Sequence, residues 1–524
     1  MRHVKRPGGL ENDTLFDTEA CAWWHTQLAP GVFKRLDSGI EGMIRRSVLR
    51  LLPAEELARS FSETFGRPTK ELYAIVGLIL MSEFHDWTID ETADAWCLDA
   101  GTQFALGLPR DRQSLCPRTV DNYRRLLRES KVAQDVFETV TASLLCELGV
   151  EIKKQRLDST HVLSNMARFG RLKLLAVTVK RFLVQLKMRH LPEFEALPEA
   201  LRERYFAVES RLFGSGTKHA ENYQASIQQA GEDIGELIAG LSENAALSHW
   251  PSYLALERVF REQCEITDGG EIAIRAKAED ENGQASQVLQ NPSDVDAGYS
   301  GHKGAGYQVQ LAQAHDHGEK APGMFTACIV ENAGQSDAAA VEKIAQQQER
   351  MGTLPKEQLA DTAYGSQANV EASAARGTEL ISPAAGAKKA NVSADGGDAL
   401  DRRRAIEETE QWKKKYAKRS GIEGANCGLK NTTGMRRLRV RGEAAIGLGI
   451  YFKVTGWNIR TAVQIVRSRA RKAFNAAKSG AQGRNLGPTG GLTRADYRPS
   501  RQKSVRLMPE MPKGGRRTFF WGFW

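Results

Sequence analysis

Between Tyr416 and Lys430, in YAKRSGIEGANCGLK, one carboxylate, two cations and a phenol recur at offsets of 0, 3, 7 and 14 residues. An α-helix turns about 100° per residue, so Tyr416, Arg419, Glu423 and Lys430 would share an arc of roughly 60°. Such a stripe suits a surface that holds a metal ion beside nucleic-acid phosphates. The carboxylate would bind the metal and the cations would meet the phosphates. A solvated helix face with i,i+4 charge pairs explains the same pattern. For this stretch alone it is the better explanation, because short motifs match by chance.

Two upstream carboxylates shift the balance. Asp158 closes the extended stretch that begins at Ile152 and is followed by small polar residues. Asp361 ends a second short extended run, Gln358-Leu-Ala-Asp361. The C-terminal end of a strand is a usual place for chemistry in an open sheet. If the two strands lie side by side and parallel, their carboxylates converge, and a helix across that edge can add Glu423. Three such acids would repel one another without cations. Hard Mg²⁺ or Mn²⁺ prefers oxygen ligands, and two ions about 4 Å apart would clamp an in-line phosphodiester displacement.

The elements that must position these acids follow from periodicity. Residues 1–40 read as a weakly structured start anchored by Trp23 and Trp24. Residues 55–148 are mostly helical, with Leu72, Ile75, Ile79 and Leu80 at core spacing. Thr88-Ile-Asp-Glu91 has the form of a capping box. RTVDNYRRLLRES, with Arg118, Arg124, Arg125 and Arg128, is a basic amphipathic helix after a turn, an arrangement able to dock on DNA. An arginine-rich outer face of a helical bundle explains it equally well. Two helical faces, Leu172/Leu175/Val179/Phe182/Leu186 and Ile227/Ala230/Ile234/Ile238/Leu241, define a helical insertion at about 165–268.

After Gly270 the period changes. Residues 306–316 alternate Tyr307/Val309/Leu311 with Gln308/Gln310 as a half-buried strand would, and Phe325–Val330 suits its neighbour. A helix over 336–351, the Asp361 strand, a helix over 367–375 and a strand over 379–382 follow. A loop spans 383–400, with helices over 401–433 and 443–475. The sequence thus reads as a mixed α+β fold in three parts. A helical, DNA-binding domain spans 1–150, and a catalytic domain with its insertion spans 151–475. A basic Gly/Pro-rich tail, disordered by composition, spans 476–524 and ends in FFWGFW, for which nothing in the pattern accounts.

At 524 residues, 41% apolar and 26% charged, the composition is that of a soluble globular protein. The net charge of +9 is concentrated at the C-terminal end, where Arg467–Trp524 carries 14 Lys+Arg against 2 Asp+Glu. A segment lying along polyanionic nucleic acid would look like this, as would a solubilising tail. Seven scattered cysteines without CxxC spacing indicate neither a disulfide framework nor a zinc site and fit a reducing interior. With no apolar leader and no run long enough to span a bilayer, a cytoplasmic, nucleoid-associated protein that avoids membranes is expected.

Several stretches together resemble bacterial insertion-sequence transposases of the DDE type, the subgroup with a Tyr-x2-Arg-x3-Glu-x6-Lys signature. RLDSTHV resembles that family's first-aspartate strand, and LADTAYGSQANV its second-aspartate strand and turn. YAKRSGIEGANCGLK with GMRRLRVRG resembles the helix bearing the third acid, and GYSGHKGAGYQVQLA (298–312) an internal strand region. Residues 55–130 resemble the helical domain commonly found ahead of it. The resemblance implies a ribonuclease-H-like mixed sheet, interrupted here by the helical insertion. It implies Asp158, Asp361 and Glu423 as catalytic residues and ligands of two Mg²⁺ (or Mn²⁺) ions. Tyr416, Arg419 and Lys430 would contact DNA near the scissile phosphate.

The dense run Arg436, Arg437, Arg439 and Arg441, just past that helix, is placed for DNA backbone contacts, with Arg124 and Arg125 contributing from the N-terminal region. Glu443 is a rival third acid lying outside the stripe. Ser159, Thr160 and His161 read better as satisfied turn groups than as phosphate ligands, His315-Asp-His317 as a solvated strand end, and Asp294 and Asp296 as loop caps. His302 and Lys303 could equally contact phosphate or line a solvated turn. The expected activity is metal-dependent cleavage at the ends of an insertion sequence, followed by attack of the freed 3′-OH on target DNA. The partners would be the terminal inverted repeats, target DNA and a second protomer. A nuclease of the same fold that never joins DNA, or an inactive DNA-binding repressor derived from a transposase, are the alternatives.

Overall fold

The computed structural model describes residues 2–3, 24, 28–109, 113–206, 220–316, 318, 322–384 and 399–482. Trp23, His317, most of the 383–400 loop and the tail beyond Gln482, including FFWGFW, lie outside the described residues. Met1–Arg471 forms one compact unit and Lys472–Trp524 a second.

The N-terminal region is helical as its periodicity implies. Its main helices are α1 (Leu72–His85), α2 (Ile89–Leu98), α3 (Pro117–Arg128) and α4 (Val132–Leu148). The capping box is formed: the Glu91 N–H donates to Thr88 Oγ1 at 3.2 Å, and the Thr88 N–H donates to Glu91 Oε2 at 2.7 Å. Helix α1 is buried along nearly its whole length, because neighbouring helices cover it on all sides rather than along one stripe.

The central sheet begins with β1 (Lys154–Val162). The insertion follows, with α5 (Arg171–Arg189), α6 (Ala220–Leu241), α7 (Pro251–Gln263) and a small hairpin of β2 (Cys264–Ile266) and β3 (Ile272–Ile274). It has its own apolar core, in which Leu175, Phe182, Ile234 and Val259 meet. The sheet then resumes with β4 (Gly298–Ser300), β5 (Gly304–Ala314) and β6 (Phe325–Asn332). Helix α8 (Asp337–Met351), β7 (Glu357–Leu359), α9 (Gln367–Ala375) and β8 (Glu379–Ile381) complete it. Across the sheet the order is β8-β7-β1-β5-β4, with β6 also paired to β5. Strands β1, β5 and β6 form an antiparallel meander, while β7 and β8 run parallel to β1. The expected mixed α/β architecture is therefore present.

Both faces of the sheet are covered. On one side Leu157, Ala312, Ala327 and Leu380 pack against α8 through Val341 and Ile344. On the other, Val162, Tyr307, Val309 and Leu311 meet Leu429 and a long C-terminal helix carrying Ile446, Ile450, Val454 and Trp457. Hence β5 is not the half-solvated strand its alternation suggests: Gln308 and Gln310 are buried too. Their amides are satisfied internally, Gln308 Nε2 on the Gln335 carbonyl at 2.9 Å and Gln310 Nε2 on Asp337 Oδ1 at 2.7 Å. Glutamine at a buried position reads as polar in the sequence, yet a paired amide tolerates burial well.

The helical stretch over 401–433 is segmented. Helix α10 (Glu410–Tyr416) passes through a 3₁₀ turn, Ala417–Ser420, into α11 (Gly421–Thr433). Arg156 of β1 enforces the break. It donates from Nη1 to the Lys418 carbonyl at 3.0 Å, and a Cβ on Gly421 would sit 1.7 Å from that nitrogen. Only glycine lets the guanidinium lie so close. Helix α12 (Glu443–Gln482) follows. Within the first compact unit it also contributes Phe452, Ile459 and Val463 to the N-terminal core, so that core and the sheet share one helix. Among the described residues no helix is long and apolar enough to cross a membrane.

Candidate functional site

Register brings Asp158 and Asp361 together. In the parallel pair, Lys154 lies opposite Glu357 and Arg156 opposite Leu359. Asp158 and Asp361 each come two residues later on their own chains. Asp158, however, does not close its strand. The antiparallel ladder with β5 pairs every residue from Gln155 to Val162, so Asp158 lies mid-strand opposite Leu311. What ends near it is the parallel neighbour. Past Leu359 the chain turns at Asp361, which caps the 3₁₀ turn Thr362–Tyr364 by accepting the Ala363 N–H on Oδ1 at 2.9 Å. Ser159, Thr160 and His161 are accordingly strand residues and not turn groups.

Helix α11 packs against β1 and α1 and brings Glu423 and Asn426 to this gap. Asn426 is buried and donates from Nδ2 to Asp158 Oδ2 at 3.2 Å. Arg419, in the 3₁₀ turn, bridges the acids: Nη2 to Glu423 Oε1 at 2.7 Å and Nη1 to Asp158 Oδ1 at 3.8 Å. Side-chain exposures are 16% for Asp158, 18% for Arg419 and 60% for Glu423, so the bridge runs from a buried acid to a solvated one. Burial, opposed by Arg419 and reinforced by Asp361, pushes the Asp158 carboxyl up to about 6, with Lys303 and Glu423 bearing on it more weakly. The acids are thus close enough to repel. Among the described residues, no three His, Cys, Asp or Glu side chains group closely enough to hold a metal ion as they stand.

The other expected residues are distributed as follows. Tyr416 stacks on Trp412 at 4.7 Å with planes 15° apart. Burial raises its phenol, and Arg419, Asp361 and Asp158 all act on it. Lys430, half-buried, is pushed down by burial and then by Arg436 and Lys303. Arg436, Arg437, Arg439 and Arg441 are exposed. Their backbone runs alongside Leu163–Asn165, with the Leu438 N–H donating to the Leu163 carbonyl at 2.8 Å. Arg439 pairs with Asp86 at 3.0 Å, and Arg441 donates to the Asn165 carbonyl.

Arg124, expected to contact DNA, is instead buried and ion-paired with Glu83 of α1. Its helix turns that side to the core, and its basic pattern misleads because one arginine serves the interior. Arg125 is exposed and pairs with Glu129 at 3.2 Å. Glu443 stands at the start of α12, its N–H donating to Asp296 Oδ2 at 2.9 Å. Asp294 is a buried acceptor for the Tyr307 hydroxyl at 2.6 Å. His315 is buried rather than solvated, and burial pushes it down to about 4.

Three residues near the acids, Asn426, Trp412 and Asp337, escape the sequence reading. Asn426 lies at offset 10 from Tyr416, only about 20° outside the original arc, so a search not limited to charges would have included it. Trp412 sits four residues before Tyr416, a spacing that favours stacking on a helix. Asp337, at the first turn of α8, accepts from Ser159 Oγ at 3.2 Å. Lys303 donates to Ser159 Oγ at 2.8 Å. No local signal marks Asp337, which reaches the site through tertiary packing, whereas Lys303 is one of the two turn residues already weighed as phosphate contacts.

No curated protein matches the chain, and no solved structure does. A family model described as a transposase DDE domain matches residues 384–463. The match spans Tyr416–Lys430, the arginine run and the first half of α12, and it stops short of Asp158 and Asp361. It supports a DDE transposase family for this chain.

Proposed function

We propose that this chain is a metal-dependent DNA transposase with a ribonuclease-H-like catalytic region, in which Asp158, Asp361 and Glu423 are the catalytic acids. One observation carries the reading. Two parallel strands hold Asp158 and Asp361 at matched positions beside a gap in the sheet, and the helix laid over β1 presents Glu423, tied to Asp158 through Arg419. The strand order, an antiparallel meander extended by two parallel strands, supports the ribonuclease-H-like assignment.

The donor set fits hard divalent ions. It offers carboxylate oxygens only, and burial, against the pull of Arg419, raises the Asp158 carboxyl to about 6, so a cation bound there would favour its ionised form. Bound Mg²⁺ or Mn²⁺ would activate a water or 3′-OH and neutralise the phosphoryl oxygens. The protein's own groups do the positioning. Asn426 fixes the Asp158 carboxylate through its amide. Arg419 and Lys430 meet phosphate oxygens, and the stacked Trp412–Tyr416 pair stiffens the approach to Arg419. Arg436, Arg437, Arg439, Arg441 and Arg125 lie on exposed surface suited to backbone contacts that set register rather than sequence. DNA ends, target DNA and a homodimeric active complex in the cytoplasm belong to the same reading.

The test is cleavage and strand transfer on DNA carrying the sequences that flank the gene, with Mg²⁺. Asp158→Asn, Asp361→Asn and Glu423→Gln should each abolish cleavage while leaving DNA binding in place. Nicks without joined products would point to a nuclease. Binding with no Mg²⁺-dependent nicking would point to a repressor. Wild-type cleavage by the three single variants would refute the residue assignment.

A further inference from the structure

Further along β1, past the acids, three basic side chains gather. His161 lies three residues beyond Asp158, about 10 Å along the strand. The turn joining β4 to β5, Gly301-His-Lys303, leads into the first residues of β5, where Gly306 approaches His161. Gly304 and Gly306 have φ of +87° and +147°, where side chains are strained. A Cβ on Gly304 would lie 3.6 Å from Arg168 Nη2, and one on Gly306 would lie 3.1 Å from His161 Cε1. Gly306 therefore leaves room for the Val162 carbonyl and the imidazole, while Arg168 lies within ordinary contact range of Gly304. Between them Lys303 turns inward, and its ammonium is held by a neutral hydroxyl, Ser159 Oγ, at 2.8 Å.

That hydroxyl is itself fixed. It donates to Asp337, which also accepts from Gln310, and Gln310 in turn accepts from the buried Tyr364 hydroxyl. Lys430 approaches from α11. Its charge and those of Lys303 and Arg168 act together on His161, which burial and these cations push down to about 4, leaving a neutral ring. Like charges held close, one of them half-buried, are costly unless an anion lies between them. The two acids that bear on the cluster are already engaged, Asp337 by Ser159 and Gln310 and Asp158 by Arg419 and Asn426.

We infer that Lys303 and Arg168 form a second phosphate subsite that grips the DNA backbone beyond the acids along β1, with Lys430 lying between it and the acids. This rests on the reading of the chain as acting on DNA. Arg419 holds the strand at the reacting phosphate, and the Gly-rich turn holds it a few nucleotides away. Two grips fix the strand's direction across the acids. Lys303 and Arg168 are positioning residues, since neither touches the reacting atoms.

The experiment measures binding of the full chain to a mixed-sequence 40-bp duplex by anisotropy, in EDTA, from 50 to 200 mM NaCl. Each phosphate contact contributes about 0.9 to the slope of log K against log[salt]. Lys303→Gln and Arg168→Gln should each lower that slope by about 0.9, so each loses about 3.5-fold less affinity across the range than wild type. Lys303→Arg should restore the slope. Lys277→Gln, at an exposed lysine outside the cluster, should leave it unchanged. Wild-type slopes in both Lys303→Gln and Arg168→Gln would overturn the subsite while leaving the transposase reading intact. So would an equal drop in Lys277→Gln, which would mark a diffuse charge effect. Failure of the wild-type chain to bind the duplex at all would overturn both.

Discussion

Replacing Asp158 with Asn should make the protein more stable as it makes it inactive. Burial dominates the environment of this carboxyl and raises it from 3.8 to about 6. Each pH unit is worth about 1.36 kcal/mol, so ionising Asp158 in the metal-free fold costs about 3 kcal/mol at most. With the side chain 16% exposed, solvent screening reduces this only modestly. An Asn retains the acceptor for Asn426, while Arg419 loses a partner at 3.8 Å but keeps Glu423. The expected net gain is about 1–3 kcal/mol at pH 8.

The sign follows from the direction of the shift. A carboxyl whose folded value is raised leaves stability whole below the unfolded value, near 4, and removes it as pH rises through the folded value, near 6. Urea unfolding in EDTA should therefore show the variant ahead of wild type at pH 8, by less at pH 5 and by almost nothing at pH 4. Adding Mg²⁺ should stabilise only the wild type, by about 2.7 kcal/mol at a hundredfold excess over Kd. An Asn variant no more stable than wild type at pH 8, or a gap that widens toward pH 4, would refute the account of Asp158 as a buried, under-compensated acid.

Other substitutions separate packing from function. Gly424 has open space around its absent Cβ, so Gly424→Ala should stabilise α11 by about 0.5–1 kcal/mol in the same unfolding assay. Gly421→Ala, which drives a methyl into Arg156, should cost about 1–3 kcal/mol. Arg124→Ala strands Glu83 in the interior and should cost about 3 kcal/mol, with Lys453 at 3.8 Å from Glu83 limiting the loss. Arg125→Ala, at an exposed pair, should stay within about 0.5 kcal/mol. Arg419→Gln removes the cation that competes for Asp158 and Glu423. Two unit charges 4 Å apart at an effective dielectric of 20 interact by about 4 kcal/mol. A fraction of that suffices for Mn²⁺ affinity without DNA, read by electron paramagnetic resonance, to rise about tenfold even as cleavage falls. Unchanged or weaker Mn²⁺ binding would show that Arg419 is not the competing cation.

What the sequence disclosed and what it hid have separate physical causes. Element identity was legible wherever one period dominated: the helices of 55–148, the insertion, β5 and β6 all lie where apolar spacing puts them. Side-by-side, parallel placement of the Asp158 and Asp361 strands entered the sequence reading only as a condition, which the parallel ladder meets. Burial of polar groups was not. Gln155, Gln308 and Gln310 look solvent-facing in sequence, yet their amides are paired in the core. Arg124 misled for the same reason, because a charged residue inside is recognisable only once its partner, 41 residues away, is known. The helix break at Gly421 was not read from the sequence, because the residue packed against it, an arginine from β1, is distant in the chain.

The functional gap itself arises from unequal pairing on the two sides of one strand. β1 has eight partners on β5 but only three on β7. Beyond Arg156 its β7 edge is therefore bare, and bare peptide groups inside a protein must be covered or given to a ligand. Helix α11 covers this side incompletely, with a glycine-bearing turn where a regular helix would have pressed closer. Arg419 and Asn426 occupy part of what remains. The proposed acids lie beside this unpaired edge, where Asp158, its side chain only 16% exposed, is costly to ionise. An extra turn of pairing between β1 and β7 would have given a more stable sheet and closed the space in which a phosphodiester could meet all three carboxylates. If Asp158 has the catalytic role proposed for it, this instability is its expected companion, since binding competence and full compensation of its charge exclude one another.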